Sequence, residues 1–275
     1  MKEYSSLIRP GDDEESAQSS GEDAISSLIA VSMSLIVILA SSITIIYLWK
    51  GQDGFVIERP SSALVSWQME YMELIGANNE SLAELNGEGV VVCVVDSGVD
   101  LGHPDLRGVE LRGWRDSING IEEPYDDEGH GTAMTGIIVS DGGLDGVAKG
   151  VDLLVAKAID DEGLGTDGTV SDSVDWCVEQ GADIISLSLG GSQSFGSDFF
   201  TTDELEQSVN DALDSGVFVV SSAGNDGEDD DGDVGSPGSV EDVICVGGIT
   251  RSGSIWSGSS EGDNDGRLWP NPILP

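Results

Sequence analysis

Residues 90–100 read VVVCVVDSGVD. A short, nearly continuous β-branched run that ends abruptly in Asp, Ser and Gly fits a strand buried on both faces, with a turn at its carboxyl end. The run leaves the carboxylate of Asp96 behind a wall of apolar side chains, where it is poorly solvated unless hydrogen-bonded. A turn-forming aspartate before Ser97 and Gly98 is the plainer alternative.

Working outward, the same kind of run recurs at Val90 to Val95, Leu153 to Ala158, Ile184 to Leu189, Val217 to Ser221 and Val243 to Val246. Helical patterns lie between them. Val170, Val174, Cys177 and Val178 recur at helical spacing before Gly181, a residue suited to ending a helix. Thr201 and Glu204 have capping-box spacing, and Leu205, Val209, Ala212 and Leu213 form one apolar stripe that stops at Gly216. Strands alternating with helices predict an α/β fold, with a mostly parallel sheet covered by helices on both faces and right-handed crossovers. A dinucleotide-binding reading fails because the first strand is followed by DSGVD rather than by a glycine-rich loop opening a helix.

Ligands of open α/β sheets gather beyond the carboxyl ends of the strands, so polar residues there are the first candidates for chemistry. Asp96 is one. The chain holds only two histidines, His103 and His130, which narrows the choice of a general base working near neutral pH. His130 opens HGTAMTGIIV, which reads as a buried helix. The dipole of such a helix disfavours a cationic imidazole at its N-terminus, unless a carboxylate such as Asp96 counters it. His103, in HPDL, precedes a proline in a turn and reads as structural. Asn225, in SSAGND, follows the strand from Val217; it is either a simple turn residue or an amide able to donate to a developing oxyanion.

Composition sets outer limits. The 275 residues carry 52 acidic and 11 basic side chains, a net charge of −41. Binding to nucleic acid or to an anionic membrane surface is therefore disfavoured, and the scattered acids resemble the surfaces of proteins from salty surroundings. Cys93, Cys177 and Cys245 lie far apart in apolar stretches, without metal-ligand spacing. Free buried thiols are expected, not a disulfide framework.

Residues 25–49 carry no charge, are rich in Ile, Leu, Val and Ser, and end in Tyr47, Trp49 and Lys50. A helix of that length rises ~37 Å, enough to cross a hydrocarbon core with some tilt. The expected organisation is a disordered acidic tail (1–24), one transmembrane helix (25–49), a linker (50–66) and a catalytic-type domain (67–275). A single-pass membrane protein with its large domain extracytoplasmic is expected. Lys2 and Arg9 before the span are matched by Lys50 and Arg59 after it, so charge alone does not orient it.

Taken together, DSGVD, HGT, SLSLGG and SSAGND, in this order at strand ends, resemble the subtilisin-like (subtilase) serine protease family; the resemblance runs from about Trp67 to Arg267. It implies a subtilisin-like three-layer sandwich. It also implies peptide-bond hydrolysis in which Asp96 orients the imidazole, His130 shuttles a proton and Asn225 completes the oxyanion hole. Ser188, Leu189 and Gly190, with Ser222, Ala223 and Gly224, would bind a peptide or protein substrate as an added strand. No cofactor is needed for that chemistry and no residue is assigned to a metal. Since the family often binds calcium, NDGEDDDGDVG at 225–235 could supply oxygen ligands to a structural ion, although it lacks the EF-hand pattern and also reads as a solvated acidic loop.

The sequence departs from the family in three ways. The GTSMA-type segment that carries the nucleophilic serine has no counterpart here, so the chain is expected to be C-terminally incomplete and no nucleophile is assigned. Ala133 stands where the family commonly has histidine, and Cys93 lies in a usually aliphatic strand. The stretch between Lys50 and Val90 is too short for a typical inhibitory pro-domain. A membrane-anchored endopeptidase is the leading reading, and an inactive pseudoprotease that keeps its peptide groove is the alternative. A missing terminal helix would leave apolar sheet surface uncovered.

Overall fold

The computed structural model describes residues 28–29, 31–43, 60–82, 84–189, 203–227 and 234–261. The chain divides into two compact units, Met1–Ile57 and Glu58–Pro275. In the first, the described residues are helical, and their large apolar side chains, from Leu28 to Ile43, are 55–68% exposed. No helix among the described residues is long and apolar enough to cross a membrane. Residues 25–27, 30 and 44–49 of the predicted span lie outside the described residues.

The second unit is built on one sheet of six strands: β1 (Val91–Asp96), β2 (Leu111–Asp116), β3 (Asp152–Lys157), β4 (Ile184–Leu187), β5 (Phe218–Ser222) and β6 (Ile244–Val246). Their order is β2-β3-β1-β4-β5-β6, and every pairing is parallel. The chain runs outward from β1 to β2, returns through β3, then crosses to the other side of β1 to begin β4. The carboxyl end of β1 thus lies at a topological switch point, where the flanking connections diverge and leave a crevice. Five of the six strands were predicted from the apolar runs. β2, LRGWRD, was not, because it is a half-exposed strand at the sheet edge with no continuous apolar run.

Alternate residues of β1 serve opposite layers. Val91, Cys93 and Val95 join a core with Val170, Val174 and Cys177 of helix Asp167–Glu179 and with Leu205 and Val209 of helix Asp203–Asp214. Gly181 and Gly216 follow those two helices with φ of +79° and +88°, the left-handed conformation that ends a helix. Thr201 of the predicted capping box lies outside the described residues. On the opposite face, Val94, Leu153 and Val155 pack with Val139, Met134 and Ile138 of helix His130–Val139. This helix is less buried than its sequence suggests: Gly131, Thr135 and Val139 are buried, but Ile137 is 46% exposed.

That second face is covered unevenly. By register, Val92 aligns with Ile184 and Phe218, and Val94 with Ser186, Val220 and Ile244. Under the His130 helix Val92 and Val94 are buried, whereas Phe218, Ile244 and Val246, farther along the same face, are 62%, 45% and 48% exposed.

The cysteines require a correction. Cys93 and Cys177 form a disulfide, with Cα atoms 5.9 Å apart, and Cys245 alone is free. An inward position of β1 meets the buried stripe of helix Asp167–Glu179 at this point, which spacing along the chain does not reveal. Finally, helix Ser62–Leu74 spans the junction of the expected linker and domain; its Gln68 side chain bonds both backbone groups of Asp145, and Glu70 pairs with Arg251.

Candidate active site

Asp96 ends β1 and is 1% exposed. Its two carboxylate oxygens lie 2.8 and 3.0 Å from His130 Nδ1, and Oδ1 also accepts the Ser97 N–H at 2.7 Å. This is the satisfaction that a carboxylate behind an apolar strand requires. The imidazole is 44% exposed, so one ring nitrogen is engaged and the ring edge remains accessible.

The approach of His130 is set by the first turn of its helix, whose backbone donors lack intrahelical partners. Each is satisfied differently: His130 N by Glu128 Oε2 at 2.7 Å, Gly131 N by Ser97 Oγ at 2.8 Å, Thr132 N by Asp126 Oδ2 at 2.9 Å and Ala133 N by the Gly129 carbonyl at 3.2 Å. Gly129, at the N-cap, has φ of +106° and no side chain to cap with, and Asp126 takes over that role. Asp126 also accepts from Thr132 Oγ1, Ser97 Oγ and Gly129 N. Gly131 permits the close contact: a Cβ there would stand 2.3 Å from the Gly98 carbonyl oxygen. The sequence HGT therefore reads as helix start, close approach and reciprocal cap.

The electrostatics follow. The hydrogen bond to Asp96 raises the His130 pKa above its ordinary value; desolvation opposes this, and the charges of Asp96, Glu128 and Asp126 reinforce it. Asp96 is in place as the carboxylate that a cationic ring needs at a helix N-terminus. Burial alone would raise the Asp126 pKa, but hydrogen bonds from Thr132, Gly129 and Ser97 outweigh it and hold that carboxyl below the usual range.

The remaining candidates line the same carboxyl edge. Ser188 and Leu189 directly follow β4, next to β1, and are half-buried; Gly190 lies outside the described residues. Ser222 ends β5, followed by buried Ala223 and Gly224 and exposed Asn225. This turn is fixed from behind: Gly224 O accepts from Ser260 N at 3.0 Å, and Asp226 N donates to Ser260 Oγ at 3.1 Å. Sheet order thus brings the Asp96 and His130 pair and the Asn225 turn to one edge, with β4 between them. His103 is elsewhere. It caps the short helix Pro104–Leu106 through Nδ1 and lines a cavity of about 590 Å³ with Asp105, Thr132 and Ser140, whose lining includes neither Asp96 nor His130. Among the described residues, no cluster of His, Cys, Asp or Glu is arranged to hold a metal, and 228–233 of the expected calcium run lie outside them.

Sequence reasoning passed over Ser97, Asp126 and Lys157. Asp126 carried a faint signal, an aspartate three residues before a glycine that precedes the helix. Lys157 carried a stronger one, a lysine inside an otherwise apolar strand run.

A buried aspartate thus holds a histidine at the switch point of a parallel sheet. The profile of the Subtilase family (Peptidase S8) matches residues 87–273, and the chain belongs to that family. It is 37% identical over 177 residues to Serine protease AprX of Bacillus subtilis (strain 168), covering 60% of this chain and 39% of that protein. It is 36% identical over 187 residues to the Intracellular serine protease of Paenibacillus polymyxa, covering 64% and 55%. Among solved structures, a cold adapted subtilisin-like serine proteinase matches with a TM-score of 0.56 and 32% identity, over 66% of this chain and 62% of that one. The chain thus spans about two fifths to three fifths of the length of these proteins.

Proposed function

We propose that this chain carries the acid–base half of a serine endopeptidase, and the observation that supports it best is the two-oxygen contact of Asp96 with His130 Nδ1. With its Nδ1 proton held by Asp96, neutral His130 has its lone pair on Nε2, where it accepts the proton of an attacking hydroxyl. The imidazolium so formed is stabilised by Asp96 and returns the proton to the leaving amine. The Asn225 amide donates to the oxyanion, a contact whose loss costs about 10²–10³-fold in kcat in enzymes of this class. A substrate backbone is received beyond β4 and β5, by Ser188 to Gly190 and Ser222 to Gly224.

The nucleophile of this chemistry is a serine, and no serine of the 275 residues is assigned to that role. A fluorophosphonate serine probe, applied to any form of the protein that carries the nucleophile, tests this reading: labelling is abolished by His130→Ala and retained in His103→Ala. Equal loss from both substitutions rejects the assignment.

A second reading rests on the missing nucleophile pattern: the groove at 188–190 and 222–224 binds extended peptides without cleaving them. Saturable calorimetric binding of peptides, together with absent probe labelling, supports it.

We further propose that the charge-free, helical stretch within residues 25–49 anchors the protein, with the large unit on the oxidising side of the membrane. The Cys93–Cys177 disulfide supports that side, since such bonds persist mainly outside the cytosol. Extraction of the protein from membranes by alkaline carbonate without detergent would overturn the anchor.

A further inference from the structure

Lys157 is the largest fully buried side chain in the described structure, at 0% exposure, and no step of the proposed chemistry uses it. An ammonium cannot be buried without partners that replace its water. Here all three donors are engaged: Nζ donates to the Ser97 carbonyl at 2.6 Å, to the Ile159 carbonyl at 2.8 Å and to Asp127 Oδ1 at 2.5 Å, and it lies 5.0 Å from the centroid of the Tyr125 ring. In the sheet, Lys157 is the direct register partner of Asp96.

What it holds is more telling than its burial. The Ser97 residue gripped through its carbonyl donates its N–H to Asp96 Oδ1, and its hydroxyl accepts from Gly131 N and donates to Asp126. Just past Lys157, Ala158 N and Ile159 N both donate to the Asp96 carbonyl, at 2.8 and 3.2 Å. Asp127, its ionic partner, belongs to the loop that leads into Gly129 and His130. One cation therefore ties the turn that aims Asp96 to the loop that delivers His130.

We propose that Lys157 is a positioning residue: it sets the register between Asp96 and His130 and thereby fixes which imidazole nitrogen carries the proton. Calling the pair catalytic rests on the endopeptidase reading, but the positioning itself does not. An untethered neutral histidine favours the Nε2–H tautomer, whereas Asp96 selects Nδ1–H only while the two remain in contact.

The test is nitrogen-15 NMR of the imidazoles of the full chain, above the pH at which His130 deprotonates, with His103→Asn separating the two histidines. The wild type shows His130 as Nδ1–H. In Lys157→Met most of the population moves to Nε2–H, while Val209→Ala, which destabilises the opposite core layer, leaves the tautomer unchanged. A folded Lys157→Met protein with the wild-type tautomer overturns the proposal. Should Lys157→Met not fold, Asp127→Asn decides, because it breaks the same link at a side chain 38% exposed. A partial shift toward Nε2–H supports the proposal, and none overturns it. Absence of peptidase activity leaves this readout untouched, so the two readings fail separately.

Discussion

At the scale of single residues, the site is a contest between burial, which disfavours a charged imidazole, and a buried carboxylate that attracts positive charge, and at His130 the carboxylate wins. The protonated imidazole is the form favoured by the fold. Its contribution to stability is fully present below the unfolded value of about 6.5 and is lost as pH rises through the higher folded value. In the proposed chemistry the same shift delays general-base competence, which requires the neutral ring. Asp96→Asn removes the largest cause of the shift and leaves only the weaker charges of Glu128 and Asp126. In a proton NMR titration of the ring, His130 of Asp96→Asn should therefore deprotonate at lower pH than in the wild type. An unchanged midpoint would mean that the contact does not set the charge. Asp96 and His130 were legible because each sits at a strand end or helix start that its neighbours announce. Ser97 was not, and Asp126 and Lys157 showed only as local oddities, because their roles arise from contacts between segments, such as Ser97 Oγ with Gly131 N, that no local pattern encodes.

At the scale of elements, apolar runs located β1 and β3 to β6 within a residue or two, since each strand carries a short β-branched or aliphatic run, whether buried on both faces as in β1 or partly exposed as in β5 and β6. What they could not convey is which faces meet. Cys93 and Cys177 each looked like an ordinary buried thiol, and their union depends on helix Asp167–Glu179 lying over the face of β1 that also bears Val91 and Val95. The bond closes a sequence separation of 84 residues and pins the strand that ends in Asp96. On the chain-entropy argument such a closure is worth about 4.5 kcal/mol, a large share of an ordinary domain's stability. The double variant Cys93→Ala/Cys177→Ala should accordingly unfold at a markedly lower denaturant concentration. A loss under ~1 kcal/mol would show that helix packing alone holds the layer. Cys245 offers no substitute partner: it is half-buried, and burial raises its pKa away from the reactive thiolate.

At the scale of the whole molecule, two surface properties pull in opposite directions. A net charge of −41 keeps molecules apart but also strains the compact state. Four of the six described Lys and Arg side chains are committed to local pairs, Arg112 with Asp152, Lys149 with Asp141 and Asp145, Lys157 with Asp127, and Arg251 with Glu70. Most of the acidic charge is therefore relieved only by ions from solution. The screening length falls from about 10 Å at 0.1 M salt to about 3 Å at 1 M. Raising sodium chloride over that range should raise the Tm of the protein measured by calorimetry, whereas a chain held mainly by exposed ion pairs would lose stability. The same screening removes the repulsion that protects the exposed apolar face of Phe218, Ile244 and Val246. Light scattering in the same series should consequently show association that grows with salt, and Phe218→Ser should reduce it without altering the rise in Tm. A Tm that falls or stays level with salt would reject the electrostatic account; association unaffected by Phe218→Ser would place the sticky surface elsewhere.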